Sequence, residues 1–396
     1  MKPDGIVILD FGSQYCHLIS RRIREFNVYS EILPYDASVE SIMNLESKFN
    51  VKGIILSGGP RSVLDRDAPR IDFDILRLKK PIMGICYGHQ SIAHLFNGKV
   101  VKNKKGEFGV TFVNVRKPVG VLKGLKNRVK VWMSHNDSVV KLPRDFDLLA
   151  YSENCPIAAF GHRNLPIYGL QWHPEVSHSD YGDRVLTNFV FNVCKSKPNW
   201  RMTNFIKKAV NEVKKIVGEG KAIMALSGGI DSSTTLALAS RALGKNLTAV
   251  FVDNGLMREN EPEFIKKTFG NLNIDFVCAD EGERFLKKLK GIKDPEEKRK
   301  LIGKEFIKVF EEIAKKVKAD FLIQGTIYPD RIESGSTRSA DKIKTHHNVG
   351  GLPLRIEFKG IVEPLKDLYK DEVKSLARKL GLPKEIVLRQ PFPGPG

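Results

Sequence analysis

The residues Gly84-Ile-Cys86-Tyr-Gly88-His-Gln90 place a cysteine between two glycines, where an apolar run gives way to a helical pattern. Such glycines allow the sharp strand-to-helix turn that exposes a nucleophile. At a helix N-terminus the local dipole also favours the thiolate form of Cys86. A small buried cysteine beside a glycine turn gives the same pattern, so the turn indicates a nucleophile only if a base accompanies it.

A base is available in Trp172-His173-Pro174-Glu175. A cysteine nucleophile gives its proton to a base, and that base needs an acceptor that fixes its tautomer. His173 can serve as the base and Glu175, across a rigid proline, as the acceptor. The reaction also needs donors for a developing oxyanion, which the backbone amides of the Gly58-Gly59 turn and of Tyr87 can provide. Together these residues predict cysteine-based acyl transfer.

A second group of residues is suited to binding phosphate. It follows the apolar stretch 222–226, precedes a helical pattern, and consists of Ser227, Gly228, Gly229, Ile230, Asp231, Ser232 and Ser233. Its glycines leave amides free to converge on an anion at a helix N-terminus, and Ser232 and Ser233 add hydroxyl donors. Asp231 can bind Mg²⁺ carried by the phosphates. It is not a Walker motif, and a glycine turn capped by Asp and Ser is the alternative interpretation.

Three further segments carry polar side chains near glycines. Residues 250–258 follow an apolar run and end in Arg258, and residues 324–334 set two carboxylates, Asp330 and Glu333, near a glycine turn. Residues 343–353 join a cation to two imidazoles before a glycine pair, through Lys344, His346, His347 and Asn348. A zinc site at the two histidines is disfavoured, because adjacent side chains point apart and no third ligand lies at a useful spacing.

The elements that must position these residues form a repeated pattern of short apolar runs and amphipathic stretches. Strands are predicted at 6–10, 53–57, 81–86, 222–226, 247–252, 274–278 and 321–324, and helices at 17–26, from the cysteine turn to 95, and at 203–217. Residues 108–170 predict an antiparallel extension. This alternation predicts an α/β protein of two tandem modules, each with a mostly parallel sheet flanked by helices.

A polar, proline-bearing stretch at 195–199 marks the boundary between the modules. We therefore predict a first domain at 1–196, a linker at 197–203 and a second domain at 204–385, with 386–396 beginning a further domain. The net charge is +19 over 396 residues, but lysines alternate with glutamates in 285–318. That spacing is typical of solvated helix faces rather than of a nucleic-acid groove.

The apolar runs are strand-sized, and the first strand begins almost at the N-terminus, which leaves no room for a signal segment. The five cysteines are scattered, as in a reducing compartment. The sequence therefore predicts a cytoplasmic protein without nucleic-acid or membrane partners.

The motifs G-G-P, G-[IV]-C-x-G-x-Q and H-P-E occur in order, and in them residues 5 to 195 resemble the class I glutamine amidotransferases. The resemblance implies a γ-glutamyl thioester on Cys86, general acid–base catalysis by His173 and orientation of His173 by Glu175. It also implies that Gln90 and residues 134–137 shape a glutamine pocket. His135 is not taken as the base, because no carboxylate follows it at the spacing of the triad.

The loop S-G-G-x-D-S-S is similar to the pyrophosphate loop of N-type ATP pyrophosphatases. When the further segments are added, the whole chain resembles the glutamine-hydrolysing GMP synthetases; these segments are 250–258, 294–299, 324–334, 343–353 and 389–396. The resemblance implies a ligase that uses glutamine, ATP and XMP, with Mg²⁺ bound to ATP and no tightly bound organic cofactor. XMP is adenylylated, and ammonia then displaces AMP to give GMP. Lys344 and the histidines would belong to a mobile lid, and Arg258 would contact phosphate unless it is a solvated turn residue.

Members of this family continue beyond the position of Gly396 into a dimerisation domain that helps to bind XMP, and the full-length proteins are expected to be homodimers. We expect the isolated chain to hydrolyse glutamine weakly and bind ATP but make little GMP. Another glutamine-dependent ligase, a tRNA-modifying enzyme and an inert interaction protein are the alternatives. The segment 344–353 disfavours the first, and the Cys-His-Glu set disfavours the second. The third is disfavoured because both the Cys-His-Glu set and the phosphate loop are complete.

Overall fold

The computed structural model describes residues 2–335 and 356–389. The contacts divide the chain into two compact units, Met1–Arg201 and Met202–Gly396. Each unit has its own sheet, and the predicted α/β class with two modules is confirmed. In the described residues, no helix combines the length and the apolar character needed to cross a membrane.

In its described residues, the first unit contains nine strands and four α-helices. The strands are β1 Asp4–Asp10, β2 Tyr29–Pro34, β3 Asn50–Leu56, β4 Ile82–Ile85, β5 Lys99–Val115, β6 Arg128–Lys141, β7 Phe146–Tyr151, β8 Ala159–His162 and β9 Ile167–Leu170. The α-helices are α1 Cys16–Glu25, α2 Val39–Asn44, α3 Tyr87–Leu95 and α4 Gly182–Thr187. Short 3₁₀ turns lie at Leu45–Ser47, Phe73–Leu78 and Gly120–Leu122, and a π-helical turn at Asn188–Val193.

The strands of the first unit form one sheet in the order β2-β1-β3-β4-β9-β8-β7-β5-β6. The first five strands of this order are parallel, and the other four pairings are antiparallel. The predicted antiparallel extension is thus confirmed, although it begins earlier, at Lys99. Strand β1 is buried along nearly its whole length, as expected for a central parallel strand covered on both faces.

The second unit alternates helices with strands. Its strands are β10 Ala222–Ala225, β11 Leu247–Asp253, β12 Asp275–Asp280, β13 Phe321–Ile323 and β14 Gly360–Val362. Its α-helices are α5 Met202–Val217, α6 Ile230–Leu243, α7 Glu261–Phe269, α8 Gly282–Leu289, α9 Pro295–Val317, α10 Tyr328–Gly335, α11 Lys370–Leu380 and α12 Lys384–Val387, and a 3₁₀ turn lies at Gly244–Asn246.

The sheet of the second unit is parallel throughout, in the order β12-β11-β10-β13-β14. Successive residues of β10 face opposite sides, so Met224 packs with α5 and α6 while Ile223 packs with α8 and α9. In a parallel sheet the carboxyl ends of the strands meet at one edge. The segments that follow β10, β11 and β13 therefore share that edge, where α/β sheets bind their ligands.

The segment that the sequence assigns to a linker packs on the first unit. Asp4 accepts a hydrogen bond from the Lys197 amide at 3.0 Å and donates its own amide to Asn199 Oδ1 at 2.8 Å. The ring of Trp200 lies 4.8 Å from that of Tyr29 and is 7% exposed. Residues 197–200 are therefore held against β1 and β2.

Candidate active sites

Cys86 lies in a strained turn between β4 and α3. Its backbone angles of φ 53° and ψ −103° fall outside the regions that L-residues favour, and its amide donates to Leu170 O at 2.8 Å. A Cβ on Gly84 would lie 2.4 Å from the Gly88 backbone, and a Cβ on Gly88 would lie 2.4 Å from Leu56 O. The turn can form only because these two positions are glycine.

Cys86, His173 and Glu175 come together in the first unit. His173 Nδ1 is 2.7 Å from Glu175 Oε1, and both side chains are buried. Gly58 lies beside the pair, since a Cβ there would be 3.1 Å from His173 Cε1 and 3.6 Å from Cys86 Cβ. The Cys86 thiol also lies 3.4 Å from Ser134 O.

The electrostatics of His173 suit proton transfer. Burial of the ring opposes its charged form, but the carboxylate of Glu175 and the hydrogen bond with Cys86 outweigh burial and raise its pKa well above the ordinary value. The backbone of His173 is also fixed, because its amide donates to Trp132 O at 3.0 Å and its carbonyl accepts from Ser179 Oγ at 2.6 Å.

A cleft of about 500 Å³ opens onto Cys86 and His173. Gly59, Tyr87 and Gln90 line it, together with residues 134–137, as the resemblance implies for a glutamine pocket. Tyr87 is the first residue of α3, and amides in the first turn of a helix have no intrahelical acceptor. Its amide can therefore donate to an oxyanion.

Gln90 supports the wall of the cleft. Its Nε2 donates to Asp137 O at 2.9 Å and to Gln171 Oε1 at 3.2 Å, and the residue is 3% exposed. Asp137 in turn accepts a hydrogen bond from the Ser62 hydroxyl through its side chain. Through its hydrogen bond to Asp137, Gln90 thus fixes the position of β6 at the wall of the cleft.

His135, in the lining of the cleft, forms a second histidine–carboxylate pair. His135 Nε2 is 3.1 Å from Glu107 Oε2, and its Nδ1 is 2.9 Å from Asp137 O. Burial opposes ionisation of Glu107, yet hydrogen bonds from His135 and Ser152 bring its pKa below the ordinary value. Both nitrogens of His135 face oxygen acceptors, so this ring has no free position for the thiol proton. The sequence analysis did not find Glu107 as its partner.

The segment from Ser227 to Ser233, called the loop here, follows β10 and includes the first turn of α6. Gly228 has a φ of 72°, which favours glycine, and Gly229 is the N-cap of α6. The hydroxyls of Ser227 and Ser232 lie 3.0 Å apart, whereas Ser233 is fully buried. Ile230 is also buried, so it can offer only its backbone to a ligand at this helix N-terminus.

Several buried polar atoms around this loop lack a hydrogen-bond partner among the described residues. They are Asp231 Oδ1, Ser233 Oγ, Thr235 Oγ1 and Gln324 Nε2. Gln324 follows β13, and the neighbouring Gly325 packs against the start of α6, where a Cβ would lie 3.2 Å from Thr235 Oγ1. Unsatisfied polar groups of this kind are uncommon in native proteins and indicate a place for a polar ligand or water.

Among the described residues, one carboxylate oxygen of Asp231 is paired and the other has no partner. Its Oδ2 is 2.5 Å from the ammonium of Lys370, the first residue of α11, and its Oδ1 is buried with no partner in the part of the chain that the structure describes. A carboxylate oxygen is a preferred ligand of Mg²⁺, so the site fits the predicted metal. Lys370 is a functional candidate that the sequence analysis missed, because it lies 139 residues from Asp231.

The other residues predicted to bind nucleotide lie in different parts of the second unit. Arg258 is exposed after β11, and its amide donates to Glu261 Oε2 at 3.3 Å. Asp330 is also exposed, and its Oδ2 accepts from the Ile327 amide at 3.1 Å, at the start of α10. Glu333 belongs to α10. The positions 344, 346, 347 and 348 lie outside the described residues.

The two sites together define a glutamine amidotransferase joined to a nucleotide-binding unit. The family Glutamine amidotransferase class-I matches residues 7–193, and the Phosphoadenosine phosphosulfate reductase domain matches residues 221–393. Among solved structures, a glutamine amidotransferase from Thermotoga maritima is 19% identical, with a TM-score of 0.36 over 55% of this chain and 86% of its own.

Relatives that are similar over the whole chain identify the particular family within this class. The GMP synthase [glutamine-hydrolyzing] of Caldicellulosiruptor saccharolyticus is 50% identical over 100% of this chain and 77% of its own length. That of Aquifex aeolicus is 49% identical over the same shares, and that of Thermosipho africanus is 50% identical over 99% and 76%. The chain belongs to the glutamine-hydrolysing GMP synthase family, which confirms the resemblance drawn from the motifs.

Proposed function

We propose that this chain takes ammonia from glutamine at Cys86, His173 and Glu175, and that its second unit uses the ammonia and ATP to convert XMP to GMP. The observation that carries the proposal is the buried pair of His173 and Glu175 beside Cys86, at the floor of a cleft that can hold glutamine. Residues 1–196, with residues 197–200 packed against them, form the glutaminase domain and residues 204–385 the synthetase domain in this assignment.

In the first reaction the Cys86 thiolate attacks the side-chain carbonyl of glutamine. The amides of Gly59 and Tyr87 stabilise the tetrahedral oxyanion, and the His173 imidazolium gives its proton to the departing ammonia. The thioester is then hydrolysed by water that His173 deprotonates, which releases glutamate. The carboxylate of Glu175 stabilises the charged ring through both steps.

In the second reaction an oxygen of XMP attacks the α phosphate of ATP, pyrophosphate leaves, and ammonia then displaces AMP. The loop from Ser227 to Ser233 binds the pyrophosphate moiety with its amides and hydroxyls. Lys370 adds a cation beside Asp231. Mg²⁺, held by Asp231 and the phosphates, would neutralise charge on the leaving group.

The proposal includes no nucleic-acid or membrane partner and places the protein in the cytoplasm. Three basic residues of α8 and α9, Arg284, Arg299 and Lys308, pair with carboxylates, which supports this view. Arg284 contacts Glu305 at 2.7 Å and Glu312 at 2.9 Å, and Lys308 contacts Glu305 at 3.2 Å. The five cysteines are free thiols, as expected in a reducing compartment. A homodimer remains part of the proposal for the full-length family.

The test is release of pyrophosphate from ATP in the presence of XMP, with ammonia or with glutamine as nitrogen donor. The expected result is that XMP is required and that both donors support the reaction, although this chain by itself is expected to make little GMP. A chain that hydrolyses glutamine and binds ATP but turns over other acceptors in place of XMP would contradict the proposed substrate.

Replacing Glu175 by glutamine tests the orientation and charge of His173. The variant loses the carboxylate that raises the pKa of His173, so this pKa falls. A histidine with a raised pKa stays protonated up to that pKa, and the imidazolium is the form that protonates the leaving ammonia. We therefore expect the alkaline limb of kcat/KM for glutamine hydrolysis to move to lower pH, with kcat reduced by about 10²–10⁴-fold.

The measurement is a pH–rate profile of glutamate release. Binding of ATP by the same variant serves as the control, since Glu175 is in the other unit from the phosphate loop. An alkaline limb that stays in place would show that Glu175 does not set the charge of His173.

A further inference from the structure

Arg389 contacts the phosphate loop on its backbone side. Its Nη1 donates to Gly228 O at 3.2 Å, and its Nη2 donates to Glu261 Oε1 at 2.5 Å. One guanidinium thus joins the loop after β10 to the first residue of α7. Neither side chain has a role in the mechanism above.

The pair of Arg389 and Glu261 is largely removed from solvent. The Glu261 side chain is 5% exposed and that of Arg389 is 16% exposed. Glu261 Oε2 also accepts the Arg258 amide at 3.3 Å, so both of its oxygens are used. Each charge depends on the other, because a buried ion left without its partner is strongly unfavourable.

The contact with Gly228 sets the direction of a loop amide. A peptide unit is planar and trans, so its carbonyl and the following N–H point in opposite directions. Because Arg389 holds the Gly228 carbonyl, the Gly229 N–H points away from Arg389. That amide donates to Ser227 Oγ at 3.3 Å, at the N-cap of α6, so a phosphate that binds there would replace or share this hydroxyl as acceptor.

The packing at Gly228 is also tight. A Cβ there would lie 3.0 Å from Ile265 Cδ1, 3.1 Å from Arg389 Nη1 and 3.3 Å from Glu261 Oε1. The backbone of Gly228, with its φ of 72°, is therefore enclosed in part by the ion pair of Arg389 and Glu261. Movement of the guanidinium would remove the hydrogen bond that holds the Gly228 carbonyl.

We infer that Arg389 and Glu261 are positioning residues for the ATP site, which hold the Gly228–Gly229 peptide so that the Gly229 amide faces the β and γ phosphates. The inference rests on the proposed role of the loop as the ATP site. It assigns to these residues an effect on phosphate binding but none on the recognition of the nucleoside.

The arginine fork is essential to this arrangement. Two nitrogens in one rigid plane reach a carbonyl and a carboxylate at once, which a single ammonium cannot reproduce. In Arg389→Lys the charge remains while one contact is lost. We expect the Kd of MgATP to rise about tenfold, as for loss of one charge-assisted hydrogen bond. The Kd of AMP, which lacks the β and γ phosphates, should not change.

The experiment is calorimetric titration of the full chain with MgATP and with AMP. The matched control is Arg241→Lys, since Arg241 also donates to a backbone carbonyl, that of Leu380 at 3.0 Å, but at the far end of α6. Glu261→Gln is a second variant that should weaken MgATP in the same way. Equal MgATP affinity in Arg389→Lys and wild type would overturn the inference, as would parallel weakening of AMP. Failure of the wild-type chain to bind MgATP would overturn the proposed ATP site itself.

Discussion

Replacing Cys86 by alanine is expected to abolish glutamine hydrolysis, with a loss of at least about 10⁴-fold, because Cys86 is the thiol that lies with His173 in the cleft and would form the thioester. His135 cannot compensate, since both of its ring nitrogens already face oxygen acceptors. Pyrophosphate release supported by free ammonia should persist, because that reaction does not involve the thiol. The measurement is glutamate release alongside pyrophosphate release with each donor.

The matched control for this variant is Cys278→Ala, which removes a half-buried thiol of the second unit. It should leave glutamate release unchanged. If Cys86→Ala still hydrolysed glutamine at the wild-type rate, the nucleophile would have to be another residue. If the ammonia reaction disappeared as well, Cys86 would have a structural role that the geometry does not suggest.

Replacing Asp231 by asparagine is expected to reduce pyrophosphate release by about 10²–10³-fold with either donor, as for loss of one preorganised electrostatic group. Asparagine keeps the shape of the side chain but removes the charge that balances Lys370 and that suits Mg²⁺. Glutamine hydrolysis at Cys86 should continue. The rate should be measured as a function of Mg²⁺ concentration, and the variant should need more Mg²⁺ than the wild type.

Asp275→Asn is the corresponding control, because Asp275 forms an exposed pair with Lys245 at 3.7 Å in the same unit. Exposed pairs of this kind contribute little, so the control should behave as wild type. Wild-type Mg²⁺ dependence in Asp231→Asn would show that its carboxylate neither holds the metal nor contributes to the reaction.

Local sequence patterns were sufficient to predict much of the fold. The apolar runs located β1, β3, β4, β10, β11, β12 and β13 to within a few residues. The strand predicted to reach Cys86 ends at Ile85, because Cys86 takes the turn conformation instead. The insertion of β9 between β4 and β8 was not predicted, since strand order depends on contacts between distant segments.

The distinction between local patterns and contacts between distant segments also applies to the sites. Cys86 and the phosphate loop are contained in short motifs, and His173 and Glu175 are two residues apart, so their types and spacing were informative. The pairs His135–Glu107, Asp231–Lys370 and Arg389–Glu261 join residues that are 28, 139 and 128 positions apart. No local pattern relates such residues, and only the topology of the sheets brings them together.

The packing of residues 197–200 on the first unit determines where a free glutaminase piece should be cut. A recombinant fragment ending at residue 196 would lose Trp200 from beside Tyr29 and would leave Asp4 without its bonds to Lys197 and Asn199. Loss of a buried tryptophan alone costs about 3–5 kcal/mol, a large part of the stability of a typical domain. A fragment ending at Arg201 keeps these contacts. The polar, proline-bearing stretch that looks dispensable in the sequence therefore stabilises β1 and β2.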